Sequence, residues 1–244
     1  MLTVSLLMTF SNPKRDLTDF RRTLAALAVQ TQPLHETFLA DNAPDEDKPA
    51  LEALCGEYGV QYRKWPFYHW AIADGAQYQA AFEESTGQAI MVLCPHWVLA
   101  PDWVEKMVAW LESLGQGNIV GTDIDRHALP RYEGGLPEDW FAGYPDRFEC
   151  PAYNFFDHAK FICYREDWIP VDQEFDAPDT SGLRGSCHGM VYWAWQQLQR
   201  GRRLWLARDV GMEHATATHS PLVLEHSLER HAWSEAIFRR KIGG

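Results

Sequence analysis

The sequence predicts an α/β fold, with a mainly parallel central sheet and helices on both of its faces. Short apolar segments alternate with amphipathic helical segments along most of the chain, an order that is typical of such a sheet. The first strand is not followed by G-x-G-x-x-G or by the Gly-Lys-Ser/Thr of a P-loop. These absences exclude a Rossmann dehydrogenase and a P-loop enzyme.

The first half of the chain is predicted to hold strands and helices in strict alternation. Residues 4–12 begin as a buried strand and run into a loop, and the helix that follows carries Leu17, Phe20, Leu24 and Leu27 on one face. The predicted helices cover residues 16–29, 49–58, 75–85 and 101–114. The predicted strands that separate them cover residues 36–41, 60–64 and 89–93.

The second half is predicted to complete the sheet. Strands are expected at residues 118–121, 160–165 and 203–207, and a helix is expected at residues 189–201. Residues 122–157 are rich in Gly, Pro, Tyr and Trp and are predicted as a long loop region. Residues 221–241 are predicted as one or two amphipathic helices. We therefore expect one domain over residues 1–220, with residues 221–244 as a C-terminal helical tail packed on it.

Composition limits the class of partner. The net charge of −12 argues against a general nucleic-acid binder, because phosphate contacts need Lys and Arg. The five cysteines are scattered without a C-x-x-C pair, and no apolar run has the length of a membrane span or the form of a signal peptide. We expect a soluble, cytoplasmic protein with reduced cysteines and no membrane span.

Polar side chains follow the first two predicted strands. Ser11 and Asn12 come after the first strand, and Asp41 ends the second. Ligands of open α/β sheets bind at the carboxyl ends of the strands. These three side chains are therefore expected at one mouth of the sheet.

The order of motifs around these residues carries a family resemblance. An apolar strand with Thr9-Phe10-Ser11-Asn12, a helix, Gln30-Thr31 and a strand closing on Asp41-Asn42 follow one another. This order resembles the start of GT-A-fold glycosyltransferases, especially the large inverting family 2. The resemblance implies a GT-A-like fold and transfer of a sugar, with inversion, from a nucleotide-diphosphate-sugar to an acceptor hydroxyl.

The resemblance also implies roles for individual residues at the donor site. In the family, the aspartate at the end of the second strand contacts the nucleobase of the donor, and here that residue would be Asp41. Thr9, Ser11 and Asn12 would line the donor site beside it. Residues Asp74 and Gln79 lie where the family keeps polar side chains that face the donor sugar.

The second half of the chain continues the resemblance. Residues 161–168 look like the apolar strand of the family that ends in an arginine, and Phe175-Asp176 looks like its Gly-Phe-Asp turn without the glycine. The predicted helix at residues 189–201 and the strand after it resemble the helix, glycine turn and strand of the family.

The motif Cys94-Pro95-His96 stands where the family carries D-x-D or D-x-H. The family motif holds a divalent cation, Mn²⁺ or Mg²⁺, on the donor diphosphate, so His96 is expected to contact the metal or the diphosphate. His214 falls where related enzymes place a metal-binding histidine. Cys94 is not the hard oxygen donor that these ions prefer, and it is open whether it is a metal ligand, a bystander or a sign of a metal-free enzyme.

The position of the catalytic base also departs from the family. Family members carry Glu-Asp at the start of the late helix, where this chain has Ser186-Cys187-His188-Gly189-Met190. His188 is the general base available within that stretch. A carboxylate from the preceding loop, above all Asp176, with Glu174 and Asp179 as further candidates, is the alternative.

Three further interpretations stay open. Asp123-Ile124-Asp125 is a second D-x-D, one strand late for the metal motif, and is an alternative source of carboxylates. The two substituted motifs also fit a non-catalytic GT-A-like domain that binds a nucleotide, a glycan or a protein partner. If the chain is an enzyme, its acceptor is a glycan, a small molecule or, as for viral enzymes of this fold, modified DNA.

Overall fold

The computed structural model describes residues 2–10, 17–41, 48–64, 75–122, 143–153, 160–176, 188–214 and 221–243. Only the backbone is described at residues 173, 176, 188, 214 and 221–231. Of the residues predicted to bind or react, Ser11, Asn12, Asp74, Asp123, Asp125 and Asp179 lie outside the described residues.

The described residues form ten strands and six α-helices. The strands are β1 Val4–Phe10, β2 Glu36–Asp41, β3 Gln61–Lys64, β4 Ala89–Leu93, β5 Trp97–Leu99, β6 Asn118–Thr122, β7 Arg147–Glu149, β8 Lys160–Tyr164, β9 Arg203–Ala207 and β10 Met212–His214. The helices are α1 Leu17–Ala28, α2 Lys48–Glu57, α3 Gly75–Glu84, α4 Trp103–Leu114, α5 His188–Gln199 and α6 Pro221–Ile242. Two 3₁₀ helices cover Arg165–Asp167 and Gln173–Asp176.

The predicted mainly parallel sheet is confirmed. Eight strands lie in the order β3-β2-β1-β4-β8-β6-β9-β7. Strands β1 to β4 are mutually parallel, and β9 is parallel to β6. Strand β8 runs antiparallel to both β4 and β6, and β7 runs antiparallel to β9. The remaining strands, β5 and β10, pair with each other in a small antiparallel sheet.

Helices cover both faces of the sheet, as predicted. Successive strand residues point to opposite faces, so β1 sends Leu6 and Met8 into one apolar cluster and Leu7 into another. Residues of α1, α2 and α4 fill the first cluster, and residues of α3 and α5 fill the second. Strand β4 is buried at every position because it is covered on both faces.

The weakest sequence predictions concern short elements. Strand β7 lies inside the region of residues 122–157 that was predicted as loop, and three residues are too few for a readable alternation of apolar and polar side chains. The C-terminal segment forms one helix, α6, whose Ile237 and Phe238 pack with Phe175. The division into residues 1–220 and a tail of residues 221–244 stays a prediction. None of the helices within the described ranges is both long and apolar enough to span a membrane.

A buried carboxylate joins three loops on the edge of the sheet opposite to the strands' carboxyl ends. Asp167 accepts a hydrogen bond from the Gly117 backbone N–H at 2.8 Å, and its other oxygen lies 3.2 Å from Arg202 Nε. Its carbonyl oxygen accepts a hydrogen bond from Gln197 at 2.9 Å. The side chain thereby links the 3₁₀ helix after β8 to the turns that precede β6 and β9.

We predict that Asp167→Ala lowers the free energy of unfolding by about 2–3 kcal/mol, because it leaves the partly buried Gly117 N–H and the Arg202 guanidinium without their carboxylate. Urea denaturation followed by circular dichroism measures the loss. Glu84→Ala is the matched control, since Glu84 forms an exposed ion pair with Arg63 at 2.8 Å and is expected to cost less than about 1 kcal/mol. Equal losses in the two variants would contradict the prediction.

Candidate functional site

The strand order reverses between β1 and β4. The chain builds β2 and β3 on one side of β1 and then returns to place β4 on the other side. This reversal is the switch point at which open α/β sheets bind ligands, at the carboxyl ends of the strands. That edge carries Phe10, Asp41 and Leu93 as the last residues of β1, β2 and β4. Because β8 is antiparallel, it begins at the same edge with Lys160.

The side chain of Asp41 is held in place at the carboxyl end of β2. Its side chain is fully buried, and its Oδ2 accepts a hydrogen bond of 2.6 Å from the Tyr62 hydroxyl. The Lys64 ammonium lies 3.4 Å from the same oxygen. Burial, followed by the hydrogen bond to Asp41, raises the pKa of Tyr62 well above its ordinary value, so Tyr62 stays a donor. Asp41 is therefore held as an oriented acceptor.

Helix α3 packs against β1 and β2. The Thr9 hydroxyl donates to the Tyr78 hydroxyl at 3.3 Å, so this side chain is tied to α3. Gln77 is fully buried and donates to the Ala40 carbonyl at 3.0 Å, next to Asp41. Its amide oxygen has no hydrogen-bond partner among the described residues. Sequence reasoning passed over Gln77, although a glutamine on the buried face of a helix is itself a signal.

Gln79 links α3 to the segment that follows β8. Its amide oxygen accepts a hydrogen bond from Trp168 Nε1 at 3.1 Å, and its nitrogen donates to Glu83 at 3.0 Å. The Trp168 ring stacks on Phe82, with ring centroids 5.1 Å apart. The predicted contact of Gln79 with the donor sugar stays a prediction.

The small sheet of β5 and β10 gathers the residues predicted around the diphosphate. Cys94 and His96 follow β4 directly, and they are 6% and 8% exposed. The rings of His96 and Trp97 have centroids 6.0 Å apart. Trp97 pairs across the small sheet with His214, so the backbone of His214 lies beside this segment. His214, which is distant in sequence, therefore lies next to the segment of Cys94 and His96.

A buried lysine lies at the same place and was missed from the sequence. Lys160 is 1% exposed, and its Nζ lies 3.5 Å from the centroid of the Trp97 ring. It pairs with Leu93, the residue before Cys94. The available signal was a charged residue at the head of the apolar segment Phe161-Ile162-Cys163. The sequence does not give the strand order, so it did not indicate that Lys160 lies beside the end of β4.

The two candidate bases, Asp176 and His188, are sequence neighbours of two residues that contact each other, Phe175 and Gly189. Asp176 ends a 3₁₀ helix and His188 begins α5. Their neighbours Phe175 and Gly189 touch so closely that a Cβ at Gly189 would lie 3.3 Å from that of Phe175. Glu174 is a weaker candidate, because its hydrogen bonds with Lys241 and then with Arg240 hold its pKa below the ordinary value.

The described residues do not fit a hard divalent cation. Mg²⁺ and Mn²⁺ prefer carboxylate, carbonyl and water oxygens, whereas Cys94 and His96 offer a sulfur and an imidazole nitrogen. Within the described part of the chain, no three His, Cys, Asp or Glu side chains are grouped so that they could hold a metal ion.

The fold is similar to those of solved glycosyltransferases. GalNAc-T7 with UDP, GalNAc and Mn²⁺ superposes with a TM-score of 0.65 at 14% identity, over 97% of this chain and 48% of that one. S. aureus TarS 1-349 in complex with UDP gives 0.61 at 13%, over 96% and 65%. A second structure of S. aureus TarS 1-349 gives 0.58 at 11%, over 85% and 58%. This chain thus spans less than two thirds of each structure, and at these identities the likeness shows the fold, which is GT-A.

The sequence comparisons assign the family. No curated protein matches the chain. Residues 8–168 match the family model described as "Glycosyl transferase family 2", and this match covers more than half of the 244 residues. The chain belongs to glycosyl transferase family 2.

Proposed function

We propose that this protein transfers a sugar from a nucleotide-diphosphate-sugar to an acceptor hydroxyl with inversion. Family membership supports a glycosyltransferase in general. The observation that carries the proposal is the switch point between β1 and β4, with the oriented acceptor Asp41 at the end of β2 on one side and His96 after β4 on the other. Two of the structures with a similar fold hold UDP, which supports a nucleotide-linked donor.

The donor would lie across the carboxyl ends of the first four strands. Asp41 would accept a hydrogen bond from the nucleobase, and Thr9, Ser11 and Asn12 would line the end of β1. Asp74 and Gln79 would face the sugar. The diphosphate would then lie at the end of β4, near His96 and His214.

The reaction needs a base and a site that tolerates the growing charge of the leaving group. The acceptor oxygen attacks the anomeric carbon as the bond from that carbon to the diphosphate breaks, and a base takes the hydroxyl proton. Attack opposite to the leaving group inverts the anomeric centre. We assign the base to His188 and name Asp176, beside the same contact, as the alternative.

Binding without transfer is the second candidate function. The absence of a carboxylate from the Ser186-Cys187-His188 stretch favours it, since the family places its base there. Measured turnover separates the two functions. The acceptor is proposed to be a glycan or a small molecule, because the net charge of −12 disfavours DNA. The cytoplasmic location stays a prediction.

For the nucleobase contact, we predict that Asp41→Ala weakens nucleotide binding by about ten- to a hundredfold, the loss expected for a hydrogen bond to a charged group. Calorimetric titration with UDP, GDP, ADP, CDP and dTDP measures it. Glu36→Ala is the matched control. Glu36 opens the same strand at the opposite edge, where it accepts a hydrogen bond of 2.6 Å from Ser5, so its loss affects stability and not affinity. Unchanged affinity in Asp41→Ala would remove the donor assignment.

For the two histidines, we predict that His96→Ala and His214→Ala each weaken binding of the nucleoside diphosphate and leave binding of the nucleoside unchanged, because both would act on the diphosphate. The titrations are repeated in EDTA and in Mn²⁺. If the two histidines share a cation, the affinity of the native protein for the nucleoside diphosphate falls in EDTA. If they donate hydrogen bonds directly to the diphosphate, that affinity does not change in EDTA. Loss of nucleoside affinity in either variant would contradict the assignment.

For the base, we predict that His188→Ala lowers turnover by about 10²- to 10⁴-fold with little change in donor affinity. The native rate should rise with pH through about 6.5 or somewhat below, because only neutral imidazole accepts a proton and a helix N-terminus disfavours imidazolium. Turnover and its pH profile are measured against donor hydrolysis or a sugar acceptor panel. Near-normal turnover in His188→Ala, with loss in Asp176→Asn, would move the role to Asp176.

A further inference from the structure

We propose that Gln77 is a donor-binding residue whose amide oxygen accepts a hydrogen bond from an N–H group of the nucleobase. This inference rests on the proposed function, because it assumes a nucleotide-linked donor at the switch point between β1 and β4. It adds a residue that no sequence motif marks. Three observations carry it: the burial of the amide, the orientation that its hydrogen bond fixes, and its place beside Asp41.

The amide of Gln77 is buried, and only half of it has a partner. The side chain is fully buried, and its Nε2 donates to the Ala40 carbonyl at 3.0 Å. Its Oε1 is closed off from solvent and accepts no hydrogen bond within the described part of the chain. Buried acceptors are almost always partnered, because the loss of their water costs free energy that only a new hydrogen bond restores. This oxygen therefore suits a donor group that arrives with a ligand.

The hydrogen bond to Ala40 decides which end of the amide is left. A carbonyl oxygen accepts and does not donate, so the amide nitrogen has to face Ala40 and the amide oxygen remains unpartnered. An amide oxygen accepts hydrogen bonds and cannot donate one to the oxygens of a diphosphate. The group that it binds therefore belongs to the nucleoside half of the donor.

The place of Gln77 brings this acceptor to the nucleobase end of the proposed site. Ala40 directly precedes Asp41, the last residue of β2, which the proposed function assigns to the nucleobase. The two polar atoms of an amide are bonded to one carbon, so Oε1 lies close to the Ala40 carbonyl that Nε2 contacts. The acceptor is therefore at the carboxyl edge of the sheet, where open α/β sheets bind their ligands.

A buried water molecule is the alternative partner of this oxygen, and it predicts a different result. A water stays in place whether or not a nucleotide is bound, so removal of the amide would leave affinity unchanged. A nucleobase N–H makes its hydrogen bond only in the complex. Removal of the amide then lowers affinity and relieves the free protein of an unpartnered acceptor.

Gln197 is a matched control within the same chain. It is fully buried on α5, and its Nε2 donates to the Asp167 carbonyl at 2.9 Å, as Gln77 donates to Ala40. Its Oε1 accepts a hydrogen bond from Arg202, so both halves of this amide have partners within the protein. It also lies beside Asp167, on the edge opposite to the carboxyl ends of the strands. The two glutamines thus differ in the feature that carries the proposal.

The binding test compares Gln77→Met with Gln197→Met. Methionine keeps the approximate length of glutamine and removes both polar atoms. The probes are the tightest binder among UDP, GDP, ADP and CDP, the corresponding nucleoside, and inorganic pyrophosphate, each titrated calorimetrically. We expect Gln77→Met to bind the nucleoside diphosphate and the nucleoside about five- to thirtyfold more weakly, with unchanged pyrophosphate affinity. Gln197→Met should keep native affinity for all three probes.

Thermal unfolding without ligand separates binding from support of the fold. Gln77→Met loses one donated hydrogen bond and one unpartnered acceptor, whose effects on stability oppose each other, so we expect Tm to change by less than about 2 °C. Gln197→Met leaves the Arg202 guanidinium and the Asp167 carbonyl without one of their partners, so Tm should fall by about 4 °C or more.

Four results would overturn the proposal. Native affinity for the nucleoside in Gln77→Met overturns it and leaves the proposed function standing. An equal loss of pyrophosphate affinity also overturns it, because the whole site is then disturbed. If the loss disappears when the 2′- or 3′-deoxy nucleotide is the probe, the hydrogen bond comes from the ribose, and the nucleobase contact is wrong. If the native protein binds none of the four nucleotides, the proposed function and this inference fail together.

A measurement on the native protein keeps the proposal testable if Gln77→Met does not fold. The side-chain carbonyl carbon of Gln77, observed by NMR in protein with ¹³C-labelled glutamine, should shift on saturation with the nucleoside, because its oxygen gains a hydrogen bond. The same carbon of Gln197 should not shift. Absence of a shift at Gln77 would overturn the proposal.

Discussion

The ladder between β4 and β8 is the constraint on which the site depends. In a fully parallel sheet, every strand would bring its last residue to the ligand edge, and each strand's first residue would lie at the opposite edge. Because β8 is reversed, it places its first residue, Lys160, beside the end of β4. The reversal therefore brings the side chains of two distant chain segments to one point. Both strands are buried, so this alignment is tightly specified.

The proposed donor would have to bind to a chain with a net charge of −12. A donor with a diphosphate would itself be an anion, which the average field of such a protein repels. At the end of β2, the ammonium of Lys64 is already paired with the carboxylate of Asp41. In the proposed function Asp41 would accept a hydrogen bond from the nucleobase, and its contacts with Tyr62 and Lys64 hold the carboxylate in place for that contact.

The sequence alone predicted the elements in which apolar residues recur at a regular spacing. Helix α1 and the apolar strand β4 were placed within a residue or two, because the spacing of apolar residues reflects burial directly. The same analysis located Asp41, since parallel strands end at a common edge. It missed the buried Lys160 beside the end of β4, because that position depends on strand order and direction, which periodicity does not encode. Strands β5 and β10, of three residues each, were missed because their pairing is a tertiary contact.

The C-terminal helix bears on the site through the 3₁₀ helix that carries Asp176. Lys241 lies 2.7 Å from Asp172 and 2.8 Å from Glu174, so the end of α6 is bound to the beginning of that segment. Phe175, the next residue after Glu174, packs on Ile237 and Phe238 and also contacts Gly189. A Cβ at Gly189 would require Phe175 to shift by a few tenths of an ångström. The spacing between Asp176 and the start of α5 therefore depends on α6, although α6 contributes no candidate catalytic group among the residues described.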